Sequence, residues 1–219
     1  MQRVFLLTVI AAFAFAFAAY ADERDAAQQT GQPVLVELFA NQNCPACPKA
    51  HKTMREVSAE RDDVLVLTWV VDYWDYLGDD DPMAMPEANA RQNAYADWLS
   101  LRAPYTPQSI YNGVKECPGP RRRQVVKNIE KLSRNQSREA SLTETDGLVS
   151  VIGNVGDTEM LYTVRYMNAE QHDTGMVNPV VSITPLQGLQ SVAHGCEEDC
   201  AVLLQSMETG EVVAFWQAG

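Results

Sequence analysis

Residues 34–48 read Val-Leu-Val-Glu-Leu-Phe-Ala-Asn-Gln-Asn-Cys-Pro-Ala-Cys-Pro, an apolar run that leads directly into a Cys-x-x-Cys motif. The run from Pro33 to Phe39 is rich in β-branched and large apolar residues and ends at polar turn residues, which predicts a buried strand. Residues 45–60 carry apolar side chains at helical spacing, and 64–71 form a second buried apolar run. Strand, helix and strand in this order predict a parallel β-α-β unit.

Cys44 and Cys47 stand between this strand and this helix. Near a helix N-terminus, unpaired N–H groups and the helix dipole stabilise a thiolate and lower a cysteine pKa from ~8.5 into the range ~3.5–7.5. Two intervening residues allow Cys47 to resolve a mixed disulfide on Cys44. We expect Cys44 to be the exposed attacking thiolate and Cys47 the more buried resolving thiol. Because Pro-Ala supplies no cation, further stabilisation of the thiolate falls to backbone groups or to Lys49 and His51.

Three other interpretations of the motif compete with redox chemistry. A structural zinc site takes four ligands, and the remaining cysteines and histidines do not form a second ligand pair of recognisable spacing, which disfavours zinc. An inert structural disulfide is a second interpretation. A soft copper(I) site that uses the two thiolates is the third. The motif alone leaves the last two open.

The N-terminus has the three parts of a secretory signal peptide. Arg3 supplies positive charge, 4–18 is almost entirely apolar, and 19–21 read Ala-Tyr-Ala before a charged segment. A membrane anchor is the alternative, but the run is shorter than the ~20 residues that a spanning helix needs. We therefore expect cleavage after residue 21, a flexible leader over 22–32, and export to the periplasm or secretion without stable membrane insertion.

The composition limits the classes of partner. The 219 residues include 17 Lys and Arg against 29 Asp and Glu, a formal net charge of −12, and 46% hydrophobic residues. Such an acidic chain is disfavoured as a nucleic-acid binder, because phosphates require a basic patch. The five cysteines are an odd number, so they cannot all pair within one chain.

Two further helices and a hairpin complete the predicted α/β part, 33–139. The pattern predicts helices over 87–101 and 121–134. Residues 109–111 predict a short strand that is closed by the turn signal Asn112-Gly113.

From residue 140 onward the pattern changes to short apolar runs separated by turn residues. These runs lie at 148–152, 160–164, 180–183, 189–192, 201–204 and 212–215. Their spacing predicts a small antiparallel, sandwich-like β domain over 140–219.

Several motifs accompany the dithiol in a fixed order. They are 71–78 (Val-Asp-Tyr-Trp-Asp-Tyr-Leu-Gly), Asp81-Pro82, Arg91-Gln92-x-x-Tyr95, 105–108 (Tyr-Thr-Pro-Gln) and Asn112-Gly113. With residues 36–48 they resemble the family labelled domain of unknown function 1223, secreted bacterial proteins with a thioredoxin-like domain. The resemblance covers 34–113 densely. It implies a thioredoxin-like α/β fold followed by an additional C-terminal β unit.

The resemblance also implies roles for residues outside the dithiol. Thr106-Pro107 falls where thioredoxin-like proteins place a cis-proline, which would expose backbone for a client strand beside Cys44. These proteins often keep a buried acid beneath the resolving cysteine, so Glu37 is a candidate proton acceptor for Cys47. A structural role for Glu37 with a satisfied partner is equally open.

These observations favour an exported thiol–disulfide oxidoreductase that acts on client or redox-partner proteins through mixed disulfides. The predicted catalytic set is Cys44, Cys47, Thr106, Pro107 and Glu37. The reaction requires no organic cofactor, because electrons pass between sulfur atoms. The alternative is a periplasmic copper(I)-binding or metal-centre accessory protein that uses the same cysteines.

The remaining cysteines are expected to be structural. Cys196 and Cys200 enclose three acids and are expected to form a disulfide that closes a turn, the alternative being a metal site with His194. Cys117 is then the odd cysteine, a buried and inert thiol. The acidic and aromatic loop 72–82 is expected to be a packed, hydrogen-bonded structure that leaves a negative rim near the dithiol.

Overall fold

The computed structural model describes residues 33–135, 139–168 and 171–218. The predicted signal peptide, 1–21, and leader, 22–32, lie outside the described residues. Within the described ranges, the helices are too short or too polar to cross a membrane.

The first sheet carries the predicted β-α-β unit. Its four strands have the order β2-β1-β3-β4. The strands are β1 (Val34–Ala40), β2 (Val64–Val70), β3 (Gln108–Tyr111) and β4 (Lys115–Pro118). The first two pair in parallel, as the pattern predicts, and are connected by α1 (Cys47–Glu60). The predicted hairpin is confirmed between β3 and β4, where Asn112 and Gly113 adopt left-handed φ angles of 44° and 71°.

Two further helices flank this sheet, α2 (Pro86–Trp98) and α3 (Arg122–Asn135), close to their predicted bounds. Residues in a strand point alternately to its two sides, so β1 is covered on both faces. Val36 and Leu38 point to the side that α1 and α3 cover. Leu35 and Phe39 point to the side that α2 covers.

The chain after residue 139 forms two sheets, with strand orders β11-β10-β7-β8 and β5-β6-β9. The strands are β5 (Ala140–Thr145), β6 (Leu148–Gly153), β7 (Glu159–Tyr166), β8 (Val180–Pro185), β9 (Val192–Ala193), β10 (Cys200–Ser206) and β11 (Val212–Gln217). Neighbouring strands pair antiparallel in both sheets. Val149 and Val151 of one sheet share an apolar cluster with Leu161 and Val202 of the other, which is the layering of a small sandwich.

Two details differ from the predicted strands. β5 has no strong apolar run and was not predicted. The run 189–192 is a strand only at its end, because Ser191 takes a left-handed φ of 51° just before β9 and interrupts an extended backbone.

The β10 strand is buried on both faces. Val202 and Leu204 face the interior of the sandwich. Ala201 and Leu203 pack into the cluster that contains Leu35 of the first sheet. The predicted domain boundary coincides with the start of β5, and the division into 33–139 and 140–219 stays a prediction.

Candidate functional site

Cys44 and Cys47 form a disulfide at the junction of β1 and α1, with their Cα atoms 5.4 Å apart. The helix begins at Cys47, so Cys44 precedes the helix and does not lie in its first turn. Each cysteine is 1% exposed. The expected contrast between an exposed Cys44 and a buried Cys47 is therefore wrong for the disulfide form, because both side chains pack into the apolar cluster between the sheet and α1.

The acidic and aromatic loop 72–82 holds the chain segment that leads from β1 to the disulfide. The Gln42 N–H donates to Asp81 Oδ2 at 2.7 Å, and Asn41 Nδ2 donates to Asp75 Oδ1 at 2.8 Å. The loop is thus hydrogen-bonded, as expected, but it is packed only in part, because Tyr76 and Leu77 are 79% and 54% exposed. Its exposed carboxylates are those of Asp72, Asp79 and Asp80.

The loop before β3 lies on the same side of the sheet as the disulfide. Trp74 Nε1 donates to Thr106 Oγ1 at 2.6 Å, and Trp74 also packs against the apolar cluster that contains both cysteines. The Thr106–Pro107 peptide bond is cis, the geometry that the resemblance implies. A Cβ added at Gly119, which follows β4, would lie 2.9 Å from Ala50 Cβ of α1 and 3.7 Å from Pro107 Cβ, so Gly119 packs between α1 and this loop.

Glu37 lies on the opposite face of the sheet from the disulfide. It shares the side of Leu35, whereas its neighbour Leu38 points toward α1 and Cys47. Because side chains alternate along a strand, a one-residue difference in position exchanges the faces. Glu37 is therefore not placed to accept a proton from Cys47, and this predicted role is corrected.

Glu37 instead belongs to a buried network of polar side chains. Arg91 of α2 donates from Nη2 to Glu37 Oε1 at 2.9 Å and from Nη1 to Gln205 Oε1 of β10 at 3.0 Å. The Tyr95 hydroxyl also donates to Glu37. Burial lowers the pKa of Arg91, but the Glu37 carboxylate together with Tyr95 and Tyr162 more than offsets this and holds the pKa above its ordinary value. Arg91 and Tyr95 of the motif Arg91-Gln92-x-x-Tyr95 thus belong to this network, whereas Gln92 donates to the Tyr105 carbonyl and to Gln108 Oε1.

A cleft of about 460 Å³ opens beside Cys47. One wall is a stripe of α1 side chains, Cys47, His51 and Arg55, spaced four residues apart. The other wall consists of 81–83 and 173–176. The second of these segments is anchored next to β2, where Thr68 N–H donates to the Asn178 carbonyl at 3.1 Å. No local pattern in the sequence points to this cleft, because its walls are far apart along the chain.

His51 is the buried titratable group of this cleft. It is 9% exposed, and its Nδ1 has no hydrogen-bond partner among the residues that the structure describes. Burial, followed by the charge of Arg55, lowers the pKa of His51 to about 4, although Asp81 opposes this. The imidazole is therefore neutral at pH 7. The sequence indicated His51 only as one source of thiolate stabilisation.

The other three cysteines lie away from the cleft. Cys196 and Cys200 form a disulfide with Cα atoms 5.8 Å apart. Cys117 is a fully buried free thiol, and its Sγ lies 3.2 Å from the Tyr111 hydroxyl. Over 33–135, 139–168 and 171–218, His, Cys, Asp and Glu side chains nowhere come together in threes that could hold a metal ion.

The fold and the site define a mixed α/β protein with several sheets and a Cys-x-x-Cys disulfide. The chain belongs to the family described as protein of unknown function, DUF1223, which matches residues 35–177, well over half of its length. No curated protein matches it.

Two solved structures are similar to this chain. A crystal structure of a protein from Agrobacterium tumefaciens is 26% identical, with a TM-score of 0.70 over 86% of this chain and 94% of its own. The protein HBP35 of Porphyromonas gingivalis is 14% identical, with a TM-score of 0.50 over 86% of this chain and 75% of its own. The second similarity concerns the fold alone.

Proposed function

We propose that this protein is an exported thiol–disulfide oxidoreductase built on a thioredoxin-like unit. The observation that carries the proposal is the Cys44–Cys47 disulfide at the junction of β1 and α1. A parallel β1-α1-β2 unit, an antiparallel β3-β4 hairpin and helices on both faces of the sheet support the thioredoxin-like assignment. The predicted signal peptide supports export.

The reaction is an exchange of disulfides with a client protein. Cys44 forms a mixed disulfide with one client sulfur, and Cys47 displaces that sulfur as the internal disulfide forms again. The reverse sequence transfers the disulfide to the client. The loop at Thr106 and Pro107 orients the client backbone, and no organic cofactor takes part.

Reduction of insulin by dithiothreitol tests this function. The mature protein, residues 22–219, is expected to accelerate the reduction, and the Cys44→Ser and Cys47→Ser variants are expected to lose the acceleration, because each lacks one sulfur of the exchange. A Cys196→Ala/Cys200→Ala variant is the matched control and should retain it. A wild-type rate no higher than that of Cys44→Ser would contradict the proposal.

Two further measurements use the same material. The copper(I) content of the purified protein tests the copper-binding alternative. Stoichiometric copper(I) in wild type that is absent from both Cys→Ser variants would favour this alternative over the redox function.

Recovery of the protein outside the cytoplasm without residues 1–21 is the expected result for export, and an intact N-terminus in the cytoplasm would contradict it.

A further inference from the structure

His51 is placed beside the dithiol with an unpaired ring nitrogen, Nδ1. Its position four residues after Cys47 on α1 puts the two side chains on one face of the helix, with Cβ atoms ~6 Å apart. Helical side chains lean toward the N-terminus of the helix, so the imidazole leans back over Cys47. Both side chains line the cleft, and both are more than nine-tenths buried.

A buried ring nitrogen without a partner requires an explanation. Leaving a buried polar atom unpaired costs ~1–3 kcal/mol, and native proteins contain few such atoms. His51 Nδ1 is one of them among the described residues. In the disulfide form, Cys47 has no proton to donate. In the dithiol form, its S–H is a donor one helical turn away on the same face of α1.

We propose that His51 accepts the proton of Cys47 when this thiol resolves a mixed disulfide. The inference rests on the proposed exchange function and supplies the proton acceptor that Glu37, on the other face of the sheet, does not provide. His51 is thus a catalytic residue of the exchange.

The resolving step balances in protons and electrons. The Cys47 thiol gives its proton to His51 Nδ1, and the resulting thiolate attacks Cys44 Sγ. The Cys44–Cys47 bond forms while the bond from Cys44 to the client sulfur breaks, and the client sulfur leaves with the electron pair as a thiolate. This thiolate takes the proton from the imidazolium, which returns to its neutral form. In the reverse direction, His51 returns the proton to the departing Cys47 thiolate.

The charged groups around the imidazole of His51 set its protonation state. Arg55 faces it from its own helix, and Asp81 and Asp173 face it across the cleft. Burial and Arg55 keep His51 neutral in the disulfide form. A thiolate at Cys47 is a new negative charge at short range, which favours the imidazolium and offsets Arg55. The proton affinity of His51 therefore rises as the Cys47 thiol ionises.

Stopped-flow oxidation of the reduced protein by an aryl disulfide separates the two chemical steps. Attack by Cys44 releases the first coloured thiolate at a rate that depends on reagent concentration, and resolution by Cys47 releases the second in a first-order step. In His51→Asn, the amide can form a hydrogen bond but cannot take the proton. We expect the second step to slow by about 100-fold at pH 7, the usual contribution of a positioned base. The first step should change by less than about twofold, because Cys44 does not depend on this base.

The pH profile distinguishes proton transfer from a structural effect. The difference between wild type and His51→Asn should disappear as the pH rises past the pKa of the Cys47 thiol, where this thiol ionises without help. An equal loss at every pH, or no loss at any pH, would overturn the proposal. His194→Asn, which removes another buried histidine, is the matched control and should leave both steps unchanged. The other three cysteines can also react with the aryl disulfide. Their contribution is measured with a Cys44→Ser/Cys47→Ser protein, and its absorbance change is subtracted.

A second measurement needs no variant. The pKa of His51, followed by nuclear magnetic resonance of labelled histidine in the wild-type protein, should be higher in the reduced form than in the disulfide form. An identical pKa in both forms would refute the role. Neither experiment uses a protein client, so a negative insulin assay would reject the client reaction without deciding the role of His51.

Discussion

At the residue scale, the buried imidazole of His51 connects the stability of the fold to pH. Its pKa is about 4 in the folded disulfide form, against ~6.5 in an unfolded chain. Between these values the unfolded state binds more protons, so the free energy of unfolding falls as the pH decreases through this window. Above pH ~6.5 both states carry neutral His51, and this contribution no longer changes with pH.

We expect this residue to remove about 3 kcal/mol of stability from the oxidised protein between pH 7 and pH 4. His51→Asn should lose less stability over the same interval, because its amide does not titrate. Urea unfolding followed by tryptophan fluorescence at several pH values measures the difference. Parallel curves for wild type and variant would show that the buried imidazole is not the source of the pH dependence.

At the element scale, the β3-β4 hairpin joins the first sheet to the turn between β10 and β11. Asn112 accepts the Val212 N–H through its carbonyl at 2.9 Å and accepts the Leu35 N–H through its side chain at 2.7 Å. Gly113 has a φ of 71°, and a Cβ placed there would lie 1.9 Å from the Gly210 carbonyl oxygen. The turn therefore requires glycine for its backbone angle and for the close approach of Gly210.

Replacement of Gly113 by alanine should destabilise the protein by about 3 kcal/mol or more, since left-handed strain and overlap with backbone add together. Gly147→Ala is the matched control. Gly147 also has a positive φ, 78°, but a Cβ there meets nothing within 4 Å, so only about 1–2 kcal/mol is expected. Urea midpoints measure both variants, and equal losses would argue against the steric contact.

At the scale of the whole molecule, the network around Arg91 joins parts that are distant along the chain. Glu37 belongs to β1, Arg91 to α2 and Gln205 to β10, and the three side chains are buried together. The guanidinium also lies 5.1 Å from the centroid of the Trp69 ring in β2. Arg91 and Glu37 form a buried ion pair. Removal of one of the two charges leaves the other buried and uncompensated.

Arg91→Met should therefore lower the free energy of unfolding by about 3–5 kcal/mol. The double variant Glu37→Gln/Arg91→Met should lose less than the sum of the single losses, because neither charge is left alone. Lys52→Met removes one partner of the more exposed Lys52–Glu56 pair and should change stability by less than about 1 kcal/mol. Additive losses in the double variant would reject the coupling.

The sequence by itself determined the elements that depend on local signals. Periodicity marked β1, α1 and β2, the Asn112-Gly113 pair marked the hairpin, and the Cys-x-x-Cys motif located the dithiol, because strand alternation, turn angles and cysteine spacing are encoded within a few residues. The weakly apolar β5 escaped this reasoning, since its strand partner and not its own composition stabilises it.

Only the tertiary structure decided which side chains meet. It put Glu37 on the face opposite to Cys47 and buried Cys44 together with Cys47. It also closed the cleft around His51 with a distant segment, in which Gly175 accepts a hydrogen bond from Arg55 across 120 positions of sequence. Contacts over such separations depend on the packing of whole layers, and a short stretch of sequence carries no signal for them.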